Sequence, residues 1–171
     1  MKIIALNKKN IIHFRELDHF GLMKKHDAPS LAAWGLLVTE GESVVPAGLL
    51  LAAEEGNELN ICWLLVLPQF RGRCYGEALL SKSFLYAEKK GFRRVSVYLD
   101  TDFAKSRVCV GAREFFLDHL FVEQDEDYLA AKVEDYRKQA AEPAYSPEKE
   151  ALSLYDLFGE VYPRDYDPDE S

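Results

Sequence analysis

The stretch from Leu59 to Leu80, LNICWLLVLPQFRGRCYGEALL, constrains the fold of this chain more than any other. It passes from an apolar run suited to a buried strand, through a turn rich in arginine and glycine, into a segment whose apolar residues recur at helical spacing. Gly72 and Gly76 let the main chain come close to another group, and Arg71 and Arg73 add positive charge. The first amides of a helix lack intrahelical partners, and the helix dipole is positive there. A strand, turn and helix of this composition therefore predict a backbone cradle for an anion such as a phosphate group.

A chain of 171 residues, 48% of them hydrophobic, can build one core with an appendage. Its longest apolar run, Ile61 to Leu67, is far too short to cross a bilayer, and the lysine-punctuated start lacks the apolar stretch of a secretory signal. No membrane association is expected, and the reading places the protein in the cytoplasm. Cys62, Cys74 and Cys109 are odd in number and form no C-x-x-C pair, which predicts reduced thiols rather than a disulfide framework.

The net charge of −8 is unevenly spread. Residues 1–122 hold 16 Lys and Arg against 14 Asp and Glu, whereas residues 123–171 hold 5 against 15. A nearly neutral body with an acidic tail argues against nucleic-acid binding, which needs a broad excess of positive charge. The local basic set Arg71, Arg73, Lys82, Lys105, Arg107 and Arg113 suits a smaller polyanion. His13, His19 and His26 do not fall at i, i+4 on one helix face and have no cysteine partners, so no metal site is expected.

Lys2 to Leu6 alternates like a short strand. Asn10 to Met23 has helix-spaced Ile11, Phe14 and Leu17, with Asn10 as N-cap and Gly21 as stop. Three apolar runs follow, Leu31–Val38, Val45–Ala53 and Leu59–Leu67, separated by Glu40-Gly41-Glu42 and Glu55-Gly56-Asn57, which predicts an antiparallel meander. Gly76 to Lys90 reads as a helix closed by Gly91, Arg93 to Leu99 as a strand, and Ser106 to His119 as a helix with Val110, Phe115 and Leu117 inward. The expected fold class is thus α/β, with a mixed, mainly antiparallel sheet flanked by helices.

Val66, Pro68, Arg71, Gly72, Arg73, Cys74, Tyr75 and Gly76, followed by Leu79 and Leu80, resemble the signature V-x-P-x-x-R-G-x-G-x-G/A of the GNAT superfamily of acetyl-CoA-dependent N-acetyltransferases. Cys74 stands where that family usually has glycine, and a Cβ held at positive φ costs about 1 kcal/mol. The resemblance covers roughly residues 30–122 and implies the topology. In that fold the strand ending at Val66 and the strand ending near Asp100 part at their carboxyl ends, leaving a gap for the pantetheine arm. It further implies acetyl-CoA as cosubstrate, with pyrophosphate on the amides of Arg71, Gly72, Arg73, Cys74, Tyr75 and Gly76. A backbone N–H at a strand bulge, mapping to Leu65 or Val66, would face the carbonyl oxygen that becomes negative.

A weaker echo of the family, N-x-x-A-x-x-x-Y-x-x-x-G-F, falls on Cys109, Ala112, Phe116, Leu120 and Phe121. Only the alanine and the last phenylalanine match. The family's tyrosine commonly protonates the departing thiolate, and Phe116 has no proton to give; the plain alternative is that Phe116 is core. The attacking amine must be neutral, so a base is needed. Glu58, at the start of the preceding strand, and Asp100, at the end of the next, are the candidates, each with an alternative role in a turn or cap.

Residues 1–122 are expected to form the coenzyme-binding domain, and residues 123–171 an acidic, tyrosine-rich extension that packs on the domain or on another subunit of a homodimer. Within it, Asp127 to Ala141 reads as a helix, Glu148 to Phe158 carries further apolar residues, and Tyr162 to Ser171 resembles a frayed acidic end. The extension stands where the resembled family closes its domain with two antiparallel strands. The function implied is transfer of acetyl to a primary amine of a small molecule or peptide. The alternatives are a non-catalytic coenzyme A-binding or regulatory module, suggested by Cys74 and Phe116, and an interaction protein that uses the tail.

Overall fold

The computed structural model describes residues 1–18, 21, 31–99 and 112–141. The three apolar runs form the strands β2 (Leu31–Glu40), β3 (Ser43–Glu55) and β4 (Glu58–Val66), joined by tight turns in which Gly41 and Gly56 take φ of +63° and +60°. With β1 (Lys2–Ala5), β5 (Arg94–Tyr98), β6 (Val122–Glu123) and β7 (Tyr128–Lys132) they make one seven-stranded sheet, in the order β1-β2-β3-β4-β5-β7-β6. Neighbouring strands pair antiparallel except β4 and β5, which are parallel. The sheet is therefore mixed and mainly antiparallel, as expected.

One face is covered by α1 (Tyr75–Lys90), α2 (Ala112–Leu117) and α3 (Val133–Ala141), whose Leu79, Phe84, Phe116 and Val133 pack with Leu50, Leu59, Ile61, Val95 and Val97 of the sheet. The other face holds a smaller cluster built on the 3₁₀ helix Ile11–Leu17, whose Phe14 and Leu17 meet Leu49, Leu51, Trp63 and Leu65. The end of the Phe14 ring rests against the sheet because Gly35 has no side chain: a Cβ there would come within 2.3 Å of it. The Trp63 indole N–H donates to the Leu17 carbonyl at 2.9 Å and pins the end of that helix.

Three local expectations change. Asn10 does not cap a helix: its Oδ1 accepts from the Asn7 amide at 2.7 Å, its Nδ2 donates to the Ala5 carbonyl, and the helix that follows is 3₁₀. The helix expected from Asp127 starts at Val133, because Tyr128–Lys132 instead pairs with β5 along its whole length. There Leu129 and Ala131 alternate into the main core, and the backbone bonds of an open sheet edge outweigh a helical pattern. In α2 Phe115 packs against the core as expected and Phe116 is buried as well, while Leu117 is exposed. β7 lies between β5 and β6, so the sheet continues past residue 122, and β6 and β7 occupy the place of the two closing strands. The expectations for residues 106–111 and 142–171 lie outside the described residues. Among the described residues no helix is long and apolar enough to cross a membrane.

Candidate active site

β4 and β5 pair from Glu58 opposite Arg94 to Ile61 opposite Val97, and among the described residues their pairing ends there. β4 runs on to Val66, so residues 62–66 extend beyond the stretch that pairs with β5 among the described residues. At the same point β4 slips against β3. Leu51 faces Trp63 and Ala52 faces Ile61, which leaves Cys62 as an extra residue, a β-bulge. The bulge reverses the facing of the strand: Leu59 and Ile61 point to the helical face, Trp63 and Leu65 to the 3₁₀ side.

Leu65 and Val66 are distinguished by their hydrogen bonds. The Leu67 amide donates to the Ala47 carbonyl of β3, while the Val66 carbonyl accepts from Arg71 Nε, both at 2.8 Å. Backbone groups alternate sides along a strand, so the Leu65 amide faces β3 and the Val66 amide faces away from it. The bulge expected at Leu65 or Val66 lies instead at Cys62. The run from Ile61 to Leu67 is apolar throughout, and a reversal of facing inside such a run leaves no mark in the sequence.

Beyond β4, a single 3₁₀ turn, Pro68–Phe70, anchored by the buried Phe70, leads to Arg71, Gly72 and Arg73, all exposed. Gly72 has φ +78° and Cys74 is left-handed at φ +60°, ψ +21°, so the cysteine does sit where a Cβ is strained. The first helical bond of α1 runs from the Ala78 amide to the Cys74 carbonyl at 3.1 Å. The amides of Tyr75, Gly76 and Glu77 precede it at the positive end of a 16-residue helix. A Cβ on Gly76 would only touch the Phe115 ring at 3.4 Å, an ordinary contact. Burial, with the nearby Glu77 carboxylate, pushes the Cys74 thiol up, so it stays protonated at neutral pH.

On the sheet face opposite the three helices, the residues between the buried apolar ones form a polar row. Glu58 and Asn60 come from β4, Arg94, Ser96 and Tyr98 from β5, and Tyr128 from β7. Glu58 Oε2 accepts from the Tyr128 hydroxyl at 2.5 Å, and Arg94 stands 3.8 Å from its other oxygen. Asn60 donates to Ser96 Oγ at 3.1 Å, and both are buried. The Tyr98 and Tyr128 rings stack with centroids 4.7 Å apart. Burial first, then the Glu58 bond and charge, push the Tyr128 phenol up to about 12, so it remains a donor. Burial likewise pushes the Cys62 thiol up to about 11, assisted by Glu55 and opposed by a backbone hydrogen bond from Ala53.

Glu58 is therefore four residues, about 13 Å, from the bulge along the strand, and about 26 Å from Val66. Along β4 it stands nearer to Cys62 than to the end of the strand. Asp100, like Cys109, His19 and His26, lies outside the described residues. Phe116 is core, 1% exposed and packed edge-on against Phe121 at 5.0 Å. Leu120, at the glycine position of the weaker echo, is left-handed at φ +71°. Tyr128 and the bulge at Cys62 were not visible in the sequence: Tyr128 fell in a helix-like stretch, and its partner Glu58 is 70 residues away.

A family model described as the acetyltransferase (GNAT) family matches residues 7–108. No curated protein sequence matches. Among solved structures, the ribosomal-protein-S18-alanine N-acetyltransferase from Escherichia coli is 12% identical with a TM-score of 0.59, over 77% of this chain and 93% of that one. A mutant of the spermidine N-acetyltransferase from Vibrio cholerae is 13% identical with a TM-score of 0.55, over 82% and 99%. An N-acetyltransferase from Thermoplasma acidophilum in complex with coenzyme A is 12% identical with a TM-score of 0.53, over 77% and 99%. At these identities the structures speak for the fold alone, but the family model spans more than half of the chain: this protein belongs to the acetyltransferase (GNAT) family, and it is an N-acetyltransferase.

Proposed function

We propose that the protein transfers acetyl from acetyl-CoA directly to a primary amine of a small molecule or peptide, in the gap between β4 and β5. One observation carries this reading: the bulge at Cys62 falls at the residue where β4 and β5 part, on the strand that feeds the loop Arg71–Gly76. The pyrophosphate of the donor is held by the amides from Arg71 to Gly76 and the start of α1. The outward edge of β4 at Val66 lies alongside the pantetheine arm. The donor supplies an activated acetyl thioester; the chain supplies position, charge and a proton acceptor.

A bulge residue is released from the β3 ladder, so the Cys62 amide replaces Leu65 and Val66 as the donor facing the carbonyl oxygen on which charge develops. Glu58, four residues back on the same strand, takes the proton of the amine through a short chain of waters. The new C–N bond forms as the C–S bond breaks, the electron pair leaves with sulfur, and solvent protonates the thiolate. Phe116 takes no part. A thiolate is a tolerable leaving group near neutral pH, and the buried ring at this position belongs to the core.

The test is release of coenzyme A thiol from acetyl-CoA with a panel of amines: a diamine, a polyamine, a peptide with a lysine side chain and a peptide with a free N-terminus. Thiol release above the amine-free rate, with one acetylated amine per thiol, is expected from at least one of them. Saturable acetyl-CoA binding with thiol release only at the hydrolytic rate throughout the panel would overturn amine transfer and leave only the donor site.

A further inference from the structure

The polar row on the open face of the sheet contains a residue that the reading above does not use. Tyr128 lies opposite Tyr98 in the β5–β7 register, whereas Glu58 lies opposite Arg94, four residues away along β5. The Tyr128 side chain therefore crosses the sheet diagonally to place its hydroxyl 2.5 Å from Glu58 Oε2. Ser96 stands between Arg94 and Tyr98 on β5, and the small residue there leaves room for the ring. The Tyr98 ring stacks on it at an interplanar angle of 25° and braces it from the gap side. Beneath them Ser96 is wholly buried and Asn60 is 7% exposed, although no helix described on this face packs over them.

This is a costly arrangement for a solvent-facing carboxylate. An ordinary surface Glu keeps its side-chain freedom, whereas Glu58 is fixed from two directions: Tyr128 on one oxygen, Arg94 at 3.8 Å from the other. We propose that Tyr128 is a positioning residue of this transferase, whose hydroxyl holds the Glu58 carboxylate aimed along the polar row toward the Cys62 bulge. The proposal rests on the reading of Glu58 as base. Tyr128 does not touch the reacting atoms. It acts by removing the rotamers in which Glu58 would turn away from the gap, and so affects turnover rather than donor binding.

The experiment compares wild-type full-length protein with Glu58→Gln, Tyr128→Phe and the double variant. It uses acetyl-CoA and the panel amine with the highest rate. Tyr128→Phe keeps the ring and the stack on Tyr98, so its thermal midpoint should stay close to that of the wild type, and circular dichroism verifies the fold of all four proteins. The expected result is a loss in kcat of about tenfold for Tyr128→Phe with an unchanged KM for acetyl-CoA, a larger loss for Glu58→Gln, and a double variant no slower than Glu58→Gln alone. A purely structural tyrosine gives losses that multiply in the double variant, or a changed KM with kcat retained; either outcome overturns the positioning role and leaves Glu58 as base. If Glu58→Gln keeps the wild-type kcat, the base reading fails and the proposal falls with it.

Discussion

At the scale of single residues, two positions among the described residues carry a left-handed backbone without glycine, Cys74 and Leu120, and the family signature marks both as glycine sites. The sequence makes the mismatch at Cys74 legible; only the backbone, at φ +60°, shows that the strain is real. Because Cys74 is half-buried and its thiol is protonated, it offers little in return, so Cys74→Gly should stabilise the fold by about 0.5–1 kcal/mol and raise the thermal midpoint by a few degrees. An unchanged or lowered midpoint would show that the thiol packs better than the strain costs. Lys82 is a second residue whose energetics only the structure reveals. It sits on α1 at 4% exposure, and burial lowers its ammonium from 10.5 to about 8. Below pH 8 the lysine is charged in both folded and unfolded chains, and the fold carries the cost of burying that charge. Between pH 8 and 10.5 the folded chain loses the proton that the unfolded chain keeps, so stability rises with pH in that window. Denaturant unfolding should therefore show the wild type gaining at least 1 kcal/mol relative to Lys82→Met between pH 8 and 10. A difference that stays constant with pH would mean that Lys82 reaches water in the folded state.

At the scale of elements, the strands were legible wherever apolar runs were bounded by glycine turns, and the helices wherever a glycine closed them. Gly91, left-handed at φ +78°, ends α1 at the residue where the sequence places its stop. What could not be read were features set by pairing partners far away in the chain. The Cys62 bulge depends on the register with β3, and β7 is a strand because β5 offers it an edge. The same dependence makes Gly35 more than a permissive residue. Phe14 from the 3₁₀ helix rests on its bare Cα, and Trp63, next to the bulge, holds the end of that helix through Leu17. Gly35→Ala puts a methyl group inside the Phe14 ring, which must lift off the sheet. The cost should be about 1–3 kcal/mol, the range of core overpacking. Hydrogen exchange should report the displacement as faster exchange at residues 11–17, with α1 unaffected. Equal acceleration in both would mean that the 3₁₀ helix does not move as a separate unit.

At the scale of the whole molecule, the candidate site joins parts that the sequence keeps apart: the β4 bulge, the loop before α1 and a tyrosine from β7. The residues proposed to hold the donor could be named from the sequence because they are contiguous, Val66 to Gly76, and their chemistry is local. The polar row proposed to serve the acceptor could not, because it takes one to three residues from each of three strands. Charge is the property by which the sequence reaches furthest. Residues 143–171 carry 2 of the 21 basic residues and 8 of the 29 acidic ones, so removing them takes the net charge from −8 to −2. If that negative field draws a cationic amine to the site, a chain ending at residue 142 should show a higher KM for the amine. The rise should be several-fold at low ionic strength and shrink toward unity at about 0.5 M salt, where the screening length falls to a few ångströms. The KM for acetyl-CoA, itself an anion, should fall or stay level under the same conditions. A rise in the amine KM that is independent of salt would assign the tail to direct contact with the acceptor or with the fold, and exclude steering by charge.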